Sequence, residues 1–293
     1  MEVNDMKKLV SIVLAIALLL SVTTVPFGAF ASSNILDEPI IITNDFSTQT
    51  TLINAKSLKS SMSVASVKDT SSVKKTYNGN TYYGEGKELY TQIRNKIDAR
   101  SEKFTIRYYS TSRLHAEFVI EKPGMNNKLL SVLQNLIFNS VDDSISVTTT
   151  DGDYARWSLN QFGANNMTYD NNDSGGYYYT IEFILYYNTT ADEEKALDKL
   201  IDNYVTSLRK KNLSDYDTLK EVHDYICNST TYDDDAVENP YADEYRKSYS
   251  AYGALINGKC VCQGYAQAFY RICKELGYSV RLPYSDVHGW NLI

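Results

Sequence analysis

Gly258-Lys259-Cys260-Val261-Cys262-Gln263-Gly264-Tyr265-Ala266, followed at a short distance by His288-Gly289-Trp290-Asn291, is the stretch from which the fold is read. After Cys262, the residues Ala266, Phe269, Cys273 and Leu276 recur on one side of a helical wheel, and Gly277 closes the segment. Cys262 is therefore expected at the first turn of a helix, where free backbone N–H groups and the positive end of the dipole favour a thiolate. Ser279 to Leu282 reads as a strand, with Val287 to Ile293 as its hairpin partner across Pro283-Tyr284-Ser285-Asp286, which sets His288 near the start of that partner. A helix N-terminus and a nearby imidazole together lower a cysteine pKa below its free value of about 8.5, and the thiolate is the reactive form. The plainer reading of either residue alone is a small buried hydrophobe and a hydrogen-bonded core histidine.

Outward from this stretch, Thr190-Ala191-Asp192-Glu193 is a capping box opening a helix with the stripe Leu197, Leu200, Ile201, Tyr204, Val205 and Leu208. Ser214 and Asp217 open the next helix, with Leu219, Val222 and Ile226 inward; His223 beside them is expected to line the core or support the cleft. An acidic loop, Asp233-Asp234-Asp235, and a short helix through Leu255 and Ile256 complete the approach. Upstream, Leu89, Ile93 and Ile97 mark a helix, Phe104 to Tyr108 a strand, and Leu129, Leu130, Leu133, Leu136 and Ile137 a second helix. Asn171 to Gly176 reads as a loop before a half-buried strand from Tyr179 to Tyr187. The expected organisation is a signal peptide at 1–31, a Ser/Thr-rich, mostly disordered linker at 32–75, a smaller α+β domain at 76–190 and a catalytic domain at 191–293.

Residues 1–31 carry Lys7 and Lys8, an apolar run from Leu9 to Leu20, and Ala29-Phe30-Ala31 at the place a signal peptidase reads. The run is short for a membrane span, so an exported chain, secreted or attached to the cell wall and not stably inserted in the membrane after cleavage, is expected, with an uncleaved anchor as the other reading. A formal charge of −7 over 293 residues argues against nucleic acid as a partner. Tyrosine is used heavily, 25 against 9 Phe, which suits half-buried strands and sugar- or peptide-facing surfaces. The four cysteines, Cys227, Cys260, Cys262 and Cys273, are too sparse for a disulfide framework, and a Cys227–Cys260 bridge is left open. Cys262 and Cys273 would lie about 16 Å apart along one helix, beyond bridging reach. A lone C-x-C pair is a weak zinc signal, and the acidic run reads as a solvated loop, not a calcium site; no cofactor or metal is called for.

The segment Gly258 to Phe269, the His288-Gly289-Trp290-Asn291 run and the upstream His223-Asp224-Tyr225-Ile226 helix followed by Tyr232-Asp233 closely resemble the transglutaminase-like superfamily, in its bacterial secreted branch. The resemblance covers the C-terminal third of the chain. It implies a papain-like α+β core with the nucleophile helix packed on an antiparallel sheet. It makes Cys262, not Cys260, the nucleophile and His288 the general base, with Gln263, Gly264, Trp290 and Tyr232 binding substrate or supporting the site. An orienting aspartate would fall beyond Ile293, so a C-terminally truncated chain is expected; Asp286, in a turn ahead of the ring, is not expected to replace it.

The function implied is cysteine-dependent acyl transfer on peptide or protein amides, cell-wall peptides among them, with crosslinking and hydrolysis both open. The alternatives are a non-catalytic module binding wall or protein partners through the same fold, and a cell-wall peptidase of another cysteine class.

Overall fold

The computed structural model describes residues 33–34, 40–43, 70–114, 128–141, 152–171, 175–240, 242–283 and 288–293. The signal-peptide expectation, most of the expected linker and Asp286 lie outside the described residues. The architecture is α+β, as expected.

A twisted sheet forms the first layer. Its strands are β1 (Ser33–Asn34), β2 (Ile40–Thr43), β3 (Lys74–Tyr77), β4 (Asn80–Tyr83), β5 (Lys103–Ser110), β6 (Leu159–Asn171) and β7 (Tyr177–Tyr187). They run in the order β1-β6-β7-β5-β4-β3, with β2 also paired to β6, and every pairing is antiparallel except β4 with β5. The β3–β4 hairpin turns through Asn78 (φ 47°) and Gly79 (φ 75°), the left-handed pair that a two-residue turn requires. Two stretches of the expected linker, Ser33–Asn34 and Ile40–Thr43, are strands on β6 instead. The β-branched run Ile40-Ile41-Ile42 suits a ladder better than a solvated tether.

Two helices, α1 (Lys87–Asp98) and α2 (Lys128–Ser140), cover one sheet face. Leu89, Ile93 and Ile97 from α1 and Leu133, Leu136 and Ile137 from α2 pack on Phe104, Ile106, Ile181, Phe183 and Leu185 in one buried cluster. The alternation expected for β7 is present, with Tyr179, Ile181, Phe183, Leu185 and Tyr187 inward.

The second cluster is helical. It is built on α4 (Ala191–Arg209), α5 (Asp215–Ser229) and α7 (Cys262–Leu276). The Thr190 hydroxyl accepts from the Glu193 N–H at 3.3 Å, and the Glu193 carboxylate accepts from the Thr190 N–H at 2.9 Å, which completes the expected capping box. Ser214 caps α5 through the Asp217 N–H at 3.2 Å. Leu197, Ile201, Val205 and Leu208 face Val222, Ile226, Tyr270 and Ile272 across this core. Each such side chain, fully buried, contributes about 1.5–3 kcal/mol.

The short helix α3 (Gly152–Ser158) joins the two clusters: Ala155 belongs to the sheet side, Tyr154 and Trp157 to the helical side. α3, from upstream of the border expected at residue 190, thus packs into both clusters.

Candidate active site

Cys262 is the first residue of α7, preceded by the extended cap residue Val261 (φ −91°, ψ 178°). Its sulfur is free and half-buried, while those of Cys260 and Cys273 are free and buried; Cys227 is free and exposed. Burial pushes the Cys260 thiol up to about 12, with the neighbouring Cys262 sulfur adding to it. Burial alone pushes Cys273 to about 12 as well. These two thiols stay protonated and inert at neutral pH. Of the neighbouring thiols Cys260 and Cys262, only Cys262 meets solvent.

The backbone ahead of Cys262 is held on both sides. Strands β8 (Thr231–Tyr232) and β9 (Lys259–Cys260) pair in parallel, with Thr231 N–H on Gly258 O at 2.9 Å and Asp233 N–H on Cys260 O at 3.1 Å. Val261 N–H donates to Ser248 O at 3.0 Å. Asp233 ties these pieces together. Its carboxylate accepts from Ser248 Oγ at 2.5 Å, from Ala236 N–H at 3.3 Å and from Lys259 Nζ at 2.8 Å. Burial works to raise its pKa, but the bonds from Lys259, Ser248 and Ala236 outweigh it and hold the carboxyl below its ordinary value. The acidic run is therefore not a solvated loop. Asp233 is buried and caps α6 (Asp234–Glu238), and only its two followers face water. Among the described residues, no group of three or more His, Cys, Asp or Glu side chains is placed to hold a metal ion.

Gly264 is buried against Cys260 of β9. A Cβ there would meet Cys260 Cβ at 2.5 Å, Cys260 Sγ at 2.8 Å and Ser248 O at 2.9 Å, so its hydrogen lets α7 lie on β9. Gln263 is also spent on structure: its amide N–H donates to Tyr249 O at 2.9 Å and to Trp157 O at 3.2 Å. Buried Gln267 repeats both contacts one turn later, at 3.1 and 3.3 Å. The pair fastens the start of α7 to α3.

Tyr232 and Trp290 are exposed, at 46 % and 43 %. The Tyr232 hydroxyl is within electrostatic reach of Cys262. Burial, then the Cys262 sulfur, raise its pKa, so it remains an O–H donor at neutral pH. Its ring stacks on Tyr265 with centroids 6.4 Å apart, and Tyr265 is pinned by its hydroxyl to Thr230 O at 2.8 Å.

The chain after α7 returns to the helix. Gly277 (φ 97°) ends it, with Tyr278 N–H on Cys273 O at 2.9 Å. Arg281 and Leu292 then form the antiparallel bridge expected of the hairpin, their N–H···O distances 2.8 and 3.1 Å. Asn291 donates to Ala266 O at 3.0 Å, and a Cβ on Gly289 would lie 3.8 Å from Gln263 Cα. These contacts bring the backbone beside His288 to the Cys262 end of α7. The His288 ring is parallel to that of Trp290, with centroids 6.2 Å apart. Among the described residues no hydrogen bond joins His288 to Cys262.

His223 does not line the core. Its side chain is 66 % exposed and turns along α5 toward Asp224 and Cys227. A cleft of about 580 Å³ opens between the end of β7 and the 3₁₀ turn Asp243–Tyr249, lined in part by Tyr187, Glu193, Arg246 and Lys247; neither Cys262 nor His288 borders it.

Residues 202–291, which include Cys262 and His288, match the family model of the transglutaminase-like superfamily. The segment is transglutaminase-like, as its motifs led us to expect. No curated protein matches the chain. Among solved structures, a crystal structure of a TGase is similar at 16% identity and a TM-score of 0.28, covering 64% of this chain and 49% of that one. The chain spans about half the length of that protein.

Proposed function

We propose that the protein is a cysteine-dependent acyl-transfer enzyme acting on peptide or protein amides, with Cys262 as nucleophile and His288 as general acid and base. The observation that carries this reading is an accessible thiol at the head of α7, near the Tyr232 phenol and beside the strand of His288, while Cys260 and Cys273 are buried.

In this reading the Cys262 sulfur attacks the amide carbonyl. The N–H groups at the first turn of α7 stabilise the oxyanion, and His288 protonates the departing amine. Water or a second amine then resolves the thioester, giving hydrolysis or crosslinking. Tyr232 and Trp290 are exposed aromatic walls for a peptide chain, and the leader-like N-terminus supports export to extracellular or wall peptides. The test is release of ammonia or amine from glutamine-containing peptides. Cys262→Ala should lower it to background with the fold unchanged by circular dichroism; undiminished release would refute the assignment.

A further inference from the structure

A second arrangement of thiol, imidazole and carboxylate lies on the outer face of α5. Cys227 and His223 are four residues apart and so share one face of the helix. The Cys227 sulfur is 3.6 Å from His223 Nε2, and His223 Nδ1 is 3.2 Å from Asp224 Oδ1. An ion pair with Lys220, then the bond from His223, holds the Asp224 carboxyl below its ordinary range. An ionised carboxylate only accepts hydrogen bonds, so Nδ1 carries the proton and Nε2 offers its lone pair to the thiol. The group is open to solvent: Cys227 is exposed, and the His223 and Asp224 side chains are 66% and 43% accessible. The acyl-transfer reading uses none of these residues.

We propose that Cys227, with His223 as its base and Asp224 orienting the imidazole, is a thiol-exchange site that takes up low-molecular-weight disulfides. Nε2 removes the thiol proton, and the Cys227 sulfur attacks one sulfur of the disulfide. A new S–S bond forms as the old one breaks. The departing half leaves as a thiolate and takes the proton from the imidazolium, so the product is a mixed disulfide on Cys227 and one free small thiol.

The experiment uses the full chain carrying Cys262→Ala, so its outcome is independent of acyl transfer. The protein is mixed with the uncharged probe 4,4′-dithiodipyridine at neutral pH, release of thiopyridone is followed, and the modified cysteine is mapped by mass spectrometry. One equivalent should be released from Cys227, about tenfold faster than from a free cysteine peptide. His223→Gln should lose that advantage, and added free imidazole should restore part of it, which a purely structural effect would not allow. A Cys227 that reacts no faster than the peptide, or equally fast with His223→Gln, overturns the proposal.

Discussion

Cys260 and Cys262 are two residues apart and chemically unlike. One is sealed under Gly264 and pushed to about 12, while the other begins a helix beside a phenol. Tyr232 lies within electrostatic reach of the Cys262 sulfur. Its hydroxyl stays protonated near that sulfur and is available to donate when the thiolate forms, and a hydrogen bond to a charged group contributes about 1.5–3 kcal/mol. Tyr232→Phe should therefore slow alkylation of Cys262 by iodoacetamide about tenfold or more, with no loss of thermal stability. Asp233 acts one step further back. Its folded pKa lies below the ordinary 3.8, so the stabilisation it provides is full above that value and is lost as pH falls through the lower folded value. Asp233→Asn should cost about 2 kcal/mol in urea unfolding at pH 7 and leave a stability that varies less with pH on the acid side. An unchanged acid limb would show that Asp233 is not the clasp described.

The helices were legible because their signals are local. The box Thr190–Glu193, the cap Ser214, the stripe from Leu197 to Leu208 and the stop at Gly277 each depend on neighbours within a turn or two, and each is found in place. The core helix α7 was read too narrowly. Beyond its stripe it buries Gln267, Ala268, Tyr270 and Ile272, because helices and α3 enclose it on several sides. The strand β6 was missed. Its sequence, Leu-Asn-Gln-Phe-Gly-Ala-Asn-Asn-Met-Thr-Tyr-Asp-Asn, lacks alternation, and its ladder with β7 shifts register between Leu159 and Gln161 and again between Ala164 and Asn166. The β3–β4 hairpin did carry a readable signal, Asn78-Gly79 between tyrosine-bearing strands. The clasp of Asp233, Ser248 and Lys259 spans three separate elements, so no spacing in the chain announces it.

Across the whole molecule, the sheet layer and the helical layer are joined by charge as well as by α3. Glu194 on α4 meets Arg100 at 2.9 Å from the sheet side and Arg271 at 3.2 Å from α7, and it accepts from Tyr154 of α3 at 2.9 Å. Burial acts to raise its pKa, yet the two guanidiniums and Thr189 hold it below the ordinary range. Removing this carboxylate leaves two largely buried cations facing each other, so Glu194→Gln should cost about 3–5 kcal/mol in guanidinium unfolding. A loss under about 1 kcal/mol would mean that the layers are held by apolar contact alone. Arg281 and Asp153 make a second tie, at 2.6 and 3.0 Å, that fixes the hairpin bearing His288 to α3. The site thus depends on both layers: α3 fastens the head of α7 through Trp157 O and, through Asp153, the strand that pairs with the histidine strand. That dependence was not legible in the C-terminal motifs, since α3 lies more than a hundred residues upstream of Gln263. The measurement that bears most directly on the central claim is acylation by a p-nitrophenyl ester, read as a nitrophenolate burst with the acyl group mapped by mass spectrometry. The experiment uses a Cys227→Ser background, in which the acyl group should reside on Cys262 as a thioester discharged by hydroxylamine or a primary amine, and the burst should vanish when Cys262→Ala is added. A burst that survives that substitution, or an acyl group found only on another residue, would contradict it.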